Sequence, residues 1–203
     1  MKTFVALGAG VDAVPIIGRL KGLGLHVTAV DGDPEAPAFD VADAYRVASC
    51  YHWDRVETSL EGLDPIGVLC AGVDAPTVQA EVAAKFGVPG PSRHTAWLSQ
   101  DKAAQLAALQ VHGVQIPRWV VPQSREDPVQ HMYEFSGRGG FVVVKPVDSR
   151  GARGVFRLCP GAVPRSWSLD FYLRAREHSS SGRVLIQEWV EGVQLSTESV
   201  VVD

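Results

Sequence analysis

The sequence predicts an α/β protein, with a doubly wound α/β domain to about residue 92 and an α+β lobe over residues 93–203. Three observations predict it. Strand-like apolar runs alternate with helical runs through short connections over the first 90 residues, the order that builds a parallel sheet with helices on both faces. The stretch "GVPGPSRHT" (87–95), rich in glycine and proline, interrupts that order. Beyond it, two apolar runs flank a glycine-rich loop as the strands of a hairpin would.

Each element has its own justification. "TFVALGAG" is an apolar strand ending in glycines, and "DAVPIIGRLKGLG" a helix started by Asp12 with Pro15 in its first turn. "LHVTAVD" is a strand closed by Asp31, and "PIGVLCAG" a later one. "DAPTVQAEVAAKFG" places Val78, Val82 and Phe86 on one helical face, with Asp74 as cap and Gly87 as stop. After the boundary come a helix from about Ser99 to His112, a strand "RWVV" and a helix across 126–136. "GFVVVKP" and "GVFRL" form the hairpin, a helix covers 165–177, and "RVLIQEWV" and "LSTESVVVD" are the last strands.

Composition sets limits on function. The 203 residues are 46% apolar and 21% charged, ordinary for a folded domain. A net charge of −4 argues against nucleic acid or anionic membrane as the main partner, so any anion site must be a local cluster. No apolar run approaches the ~20 residues of a spanning helix. The N-terminal residues lack a signal-peptide cleavage pattern, and Cys50, Cys70 and Cys159 are far apart with no CxxC. A reduced, cytoplasmic setting is expected. The six histidines are scattered, so no metal ligands are assigned, and no GxSxG nucleophile elbow is present.

The stretch "VVVKPVDSRGARGV" (142–155) poses the sharpest chemical question. Burying an unpaired ammonium is costly, so Lys145 needs a partner. Asp148 or Glu188 could supply it from within, or an anion could come from outside. Ser149, Gly151, Ala152 and Gly154 form a turn whose N–H groups can cradle phosphate oxygens, with Arg150 and Arg153 adding charge. This is not a Walker loop. Lys102 stands in the first turn of its helix, where the macrodipole favours anions; either Asp101 offsets it or it reaches toward something negative. Glu188 and Glu191 end the strand "VLIQEWVEG", and Glu198 interrupts the final one, where a buried acid calls for a hydrogen-bonding partner. Near the N-terminus, Gly8, Gly10 and Ala13 with Asp31 fit a dinucleotide fingerprint; a plain tight turn explains them too.

In their order and spacing these segments resemble the ATP-grasp superfamily, most closely the branch of carbamoyl-phosphate synthase large chains, biotin carboxylase and glycinamide ribonucleotide synthetase. The resemblance covers nearly the whole chain. It implies a Rossmann-like pre-ATP-grasp domain followed by the first lobe of an ATP-grasp domain. By the same resemblance, Lys102 and Lys145 contact ATP phosphates, and Ser149, Arg150, Gly151, Ala152, Arg153 and Gly154 form the loop over them. Gln187, Glu188, Trp189 and Val190 match the adenine hinge, with main-chain groups of Glu188 and Val190 meeting the base, and Glu198 matches the acid that holds the ribose. Gln187 departs from the acid often found at its position. No residue is assigned a catalytic role.

The implied activity is ATP-dependent ligation of a carboxylate or bicarbonate to an amine or thiol through an acylphosphate, on small-molecule substrates, and it allows a homodimer. Mg2+ is expected only of a full-length enzyme, because the family's metal ligands lie beyond the segment matched, which would end within the ATP-grasp domain at Asp203. Two rivals remain open on the sequence: a non-catalytic ATP-binding fragment, and an NAD(P)-dependent oxidoreductase resting on Gly8, Gly10 and Asp31.

Overall fold

In the computed structural model, which describes residues 2–137, 139–195 and 197, the first strand shows why its sheet is covered on both faces. Along β1 (Lys2–Leu7), Val5 and Leu7 point into one apolar cluster, and Phe4 and Ala6 into another. Such two-sided burial is the mark of a parallel sheet. The remaining strands are β2 (Val27–Asp31), β3 (Ala44–Val47) and β4 (Asp64–Cys70), in the order β3-β2-β1-β4 with every pair parallel. Helix α1 (Ala13–Gly22) packs Ala13, Ile17 and Leu20 on one face. Helices α2 (Trp53–Ser59) and α3 (Pro76–Phe86) bring Val56, Val78 and Val82 to the other. A further helix, α4 (Arg93–Gln100), starts at Ser92, whose hydroxyl accepts the Thr95 N–H, and packs beside α3.

The chain divides into two units between Asp101 and Lys102. The second begins with α5 (Lys102–Val111) and continues through β5 (Trp119–Val120), α6 (Pro128–Ser136), β6 (Val142–Pro146), β7 (Phe156–Leu158), α7 (Arg165–Glu177) and β8 (Val184–Glu188). Its four strands run antiparallel in the order β5-β8-β6-β7. Val142, Val144, Leu158, Val184 and Ile186 face Met132 of α6 and Ala175 of α7. On the opposite face Leu185 and Trp119 pack with Val147 and with Ala103 and Leu106 of α5.

Three local expectations are corrected. The helix expected from Ser99 to His112 is two helices, broken at Asp101, which is extended (ψ 105°). The Lys102 N–H donates to the Val147 carbonyl at 2.9 Å, a distant bond that replaces the intrahelical one and holds the start of α5 beside the exit of β6. Ala75, not Asp74, occupies the N-cap of α3, one residue before Pro76. Asp12 does precede α1, but its side chain makes no capping bond and its backbone is already helical. Gly87 ends α3 in the left-handed conformation, as its position predicts. The last expected strand falls largely outside the described residues. Among the described residues no helix is long and apolar enough to cross a membrane.

Candidate functional site

Alternation along β6 decides what the second sheet offers. Val142 and Val144 are buried against α6 and α7, so Val143 and Lys145 stand on the other face. Residues directly opposite in antiparallel strands share a face. Arg157, Val143, Gln187 and Trp119 are opposite one another across all four strands, one row above Lys145 and Leu185. Phe141 lies on this face one row beyond Val143, away from Lys145, and its carbonyl accepts the Trp189 N–H at 3.3 Å. One face therefore carries aromatic and guanidinium groups at one end and an ammonium at the other. From Phe141 to Lys145 the strand advances about 13 Å.

The ammonium end gathers several of the residues singled out in the sequence. Lys145 is half-buried, and its pKa is lowered, first by burial and second by the charge of Lys102. Neither internal carboxylate partner holds. Asp148 accepts bonds from Ser179 Oγ (2.7 Å), Ser180 Oγ (2.8 Å) and the Ser181 N–H (2.9 Å). Burial pushes the Asp148 carboxyl up, but hydrogen bonds from the three serines outweigh it and hold the group at about 2. Glu188 points to the α6 side of the sheet, where Arg118 Nε donates to it at 2.6 Å and lowers its pKa. Among the described residues Lys145 has no carboxylate partner. Lys102 Nζ donates to the Ser149 carbonyl at 2.7 Å, which brings both lysines to the start of the loop.

The loop itself is a run of tight turns. Gly151 (φ 58°), Ala152 (φ 56°) and Gly154 (φ 72°) are left-handed, and Ala152 is the one non-glycine with positive φ among the described residues. The Arg150 carbonyl accepts both the backbone N–H and Nε of Arg153 at 3.2 Å, and the Ala152 carbonyl accepts the Val155 N–H. Such turns aim successive N–H groups outward, the arrangement that binds anions. Ala152 and Arg153 are exposed and Arg150 half-buried.

Toward the other end, Gln187 stands in the row between Val143 and Trp119, on the site face, while the Glu188 side chain lies on the opposite face and its N–H donates to the Arg118 carbonyl at 3.0 Å. Trp189 and Val190 follow β8 and are exposed. Glu198 lies outside the described residues. Phe141, Trp119 and Arg157 belong to this face but were not singled out in the sequence. Period-two counting back from Lys145 through Val143 reaches Phe141; Trp119 and Arg157 require the strand register.

In the first unit, Asp31 is already committed. Its Oδ2 accepts the Ala9 N–H at 2.7 Å and its Oδ1 the Asp33 N–H at 3.0 Å. A Cβ on Gly8 would sit 2.5 Å from the Ala71 carbonyl, which explains that glycine as close packing of the turn. The acid that a dinucleotide ribose needs is thus tied to backbone.

Comparison with known proteins adds an independent finding. No family model matches the chain. It is 27% identical over 195 residues to a formate-dependent phosphoribosylglycinamide formyltransferase of Synechocystis sp., covering 93% of this chain and 48% of that protein. Among solved structures it is similar to N5-carboxyaminoimidazole ribonucleotide synthetase of Thermotoga maritima, with TM-score 0.63, 24% identity, and coverage of 94% of this chain and 46% of that one. It is also similar to the biotin carboxylase domain of Hydrogenobacter thermophilus 2-oxoglutarate carboxylase, solved with MgADP, ADP and bicarbonate (TM-score 0.69, 21% identity, 94% and 44% covered). The chain spans about half the length of the curated relatives it matches. These neighbours are ATP-grasp proteins, and the chain shares their fold over that span.

Proposed function

We propose that this chain is the ATP-binding portion of an ATP-dependent ligase that joins a carboxylate or bicarbonate to an amine or thiol through an acylphosphate. In this reading the first unit is the Rossmann-like pre-ATP-grasp domain, and the second is the first lobe of the ATP-grasp domain. The observation that carries it is Lys145: a half-buried ammonium with no carboxylate partner among the described residues, beside the charge of Lys102 and next to a turn of left-handed residues. A dianionic phosphate relieves both burial and lysine–lysine repulsion, so the site is complementary to what is absent from its own side chains.

The nucleotide lies along the site face, with its base toward Gln187, Trp189 and Val190 and its phosphates toward Lys145, Lys102 and the 149–154 loop. There the two ammonium groups and the loop N–H groups stabilise charge on the γ-phosphate as it passes to the carboxylate oxygen. Glu198 would hold the ribose by the family resemblance. Among the described residues no three His, Cys, Asp or Glu side chains converge on a metal position, and Asp148 is engaged by serines. The described residues do not fit a magnesium site.

Substitution Lys145→Met separates the reading from a structural role. Removal of the ammonium is expected to weaken ATP binding at least about tenfold in calorimetric titration. It is expected also to stabilise the nucleotide-free protein in urea unfolding, because burial and Lys102 both work against the charge. Unchanged ATP affinity would sink the proposal.

A further inference from the structure

We propose that Arg157 is a positioning residue for the base-binding end of this face, clamping the segment after β8 to the β6–β7 hairpin; the inference rests on the nucleotide reading above. Strand β8 ends at Glu188, so Trp189 and the residues after it have left the ladder. Among the described residues one backbone bond, from the Trp189 N–H to the Phe141 carbonyl at 3.3 Å, still ties this segment to the start of β6. Its orientation is otherwise set by side chains.

Those side chains converge on one guanidinium. Arg157, on the edge strand β7, has its guanidinium 3.8 Å from the centre of the Phe141 ring and 4.3 Å from that of Trp189. Glu191 Oε1 accepts from Trp189 Nε1 at 2.6 Å and from Arg157 Nη2 at 3.4 Å. A cation between two rings, with a carboxylate shared by the cation and one ring, fixes the indole and hence the backbone on either side of it. That backbone is where a base edge would find its hydrogen-bond partners. Arg157 also ends the row that runs through Val143 to Gln187, so the hairpin that carries the phosphate loop and the segment that meets the base are joined through it.

A comparison within the same unit shows what is particular to the site. Arg174 of α7 lies over Phe156 and Phe171 at 5.1 and 5.8 Å, a looser stack on the opposite face of the sheet. It provides a control for the removal of a cation–π contact away from the proposed site. Arg157 is itself exposed, so its replacement leaves the core intact.

The test uses the 203-residue chain, unaltered and as Arg157→Ala, Arg157→Met and Arg174→Ala variants. ATP and inorganic tripolyphosphate are titrated by calorimetry, and amide hydrogen exchange is followed over residues 187–191. Both Arg157 variants are expected to weaken ATP by about tenfold, to leave tripolyphosphate unchanged and to speed exchange at 187–191. Arg174→Ala should do none of these. Unchanged ATP affinity in Arg157→Ala overturns the inference, as does an equal loss of ATP and tripolyphosphate. Should the unaltered chain bind neither ligand, the nucleotide reading falls and the base-positioning role with it; faster exchange in Arg157→Ala would then show only that Arg157 clamps the segment, and unchanged exchange would remove the clamp as well.

Discussion

Gly151 and Gly154 look alike in the sequence, three residues apart in one small-residue loop, yet the structure gives them different tasks. A Cβ on Gly154 would lie 2.8 Å from His178 Cβ and 3.0 Å from Pro146 Cγ, at φ 72°. A Cβ on Gly151 would meet nothing within 4 Å, and only its φ of 58° resists a side chain. Gly154→Ala is therefore expected to destabilise by about 2–3 kcal/mol, through overpacking and backbone strain together. Gly151→Ala should cost about 1 kcal/mol. Urea unfolding of the two variants checks this, and equal losses would contradict it. The conformational freedom of the loop was legible as composition. The contact that pins one end of it to α7 was not, because His178 enters only through the fold. Asp31 teaches the same lesson. Its place at the end of a strand was readable, but the Ala9 and Asp33 N–H groups that occupy it were not.

Between elements, the loop is a short span held at both ends. Asp148 ties the exit of β6 to the turn between α7 and β8 through Ser179, Ser180 and Ser181, and Gly154 seats the return strand on His178. The Asp148 carboxyl, held at about 2, lies below its ordinary value of 3.8. A depressed folded-state pKa contributes stability that is present above the unfolded value and lost as pH falls from about 4 toward about 2. Because the group is partly exposed, solvent screening reduces its contribution to about 1 kcal/mol. Asp148→Asn should remove that much at pH 7 and flatten the acid limb of a stability–pH profile between pH 4 and 2. An unchanged acid limb would show that the serines do not hold the charged form. The sequence placed this acid three residues from Lys145 and offered it as a partner. The serine turn, 31 residues downstream at Ser179, outcompetes that short reach. The break between α4 and α5 was hidden for a related reason: helical propensity runs unbroken through "SQDKAAQ", and the Val147 carbonyl that captures the Lys102 N–H is remote in sequence.

For the molecule as a whole, the two units make different predictions about ligand. Bound ATP stabilises whatever it contacts by mass action, about 2.7 kcal/mol at a hundredfold excess over Kd. Hydrogen exchange should slow in the lysine loop and in residues 184–190 of the second unit, while β1, β2 and β4 of the first stay unchanged. Protection centred on Gly8–Gly10 and Asp31 would instead favour the dinucleotide reading. The alternation of strands and helices that makes the first sheet parallel was legible from period and length alone, as was the hairpin around the loop. The face of the second sheet proposed to take the nucleotide was not, since it is defined by register among four strands that are not consecutive in the chain. That register has a consequence for how this protein can change over generations. Position along β6 is a matter of parity: odd-numbered residues from Phe141 to Lys145 see the site, and Val142 and Val144 see the core. A single inserted residue exchanges the two audiences and sends the ammonium into the apolar layer, whereas two inserted residues restore each to its own side. Length variation in this strand should therefore be tolerated in even steps or not at all.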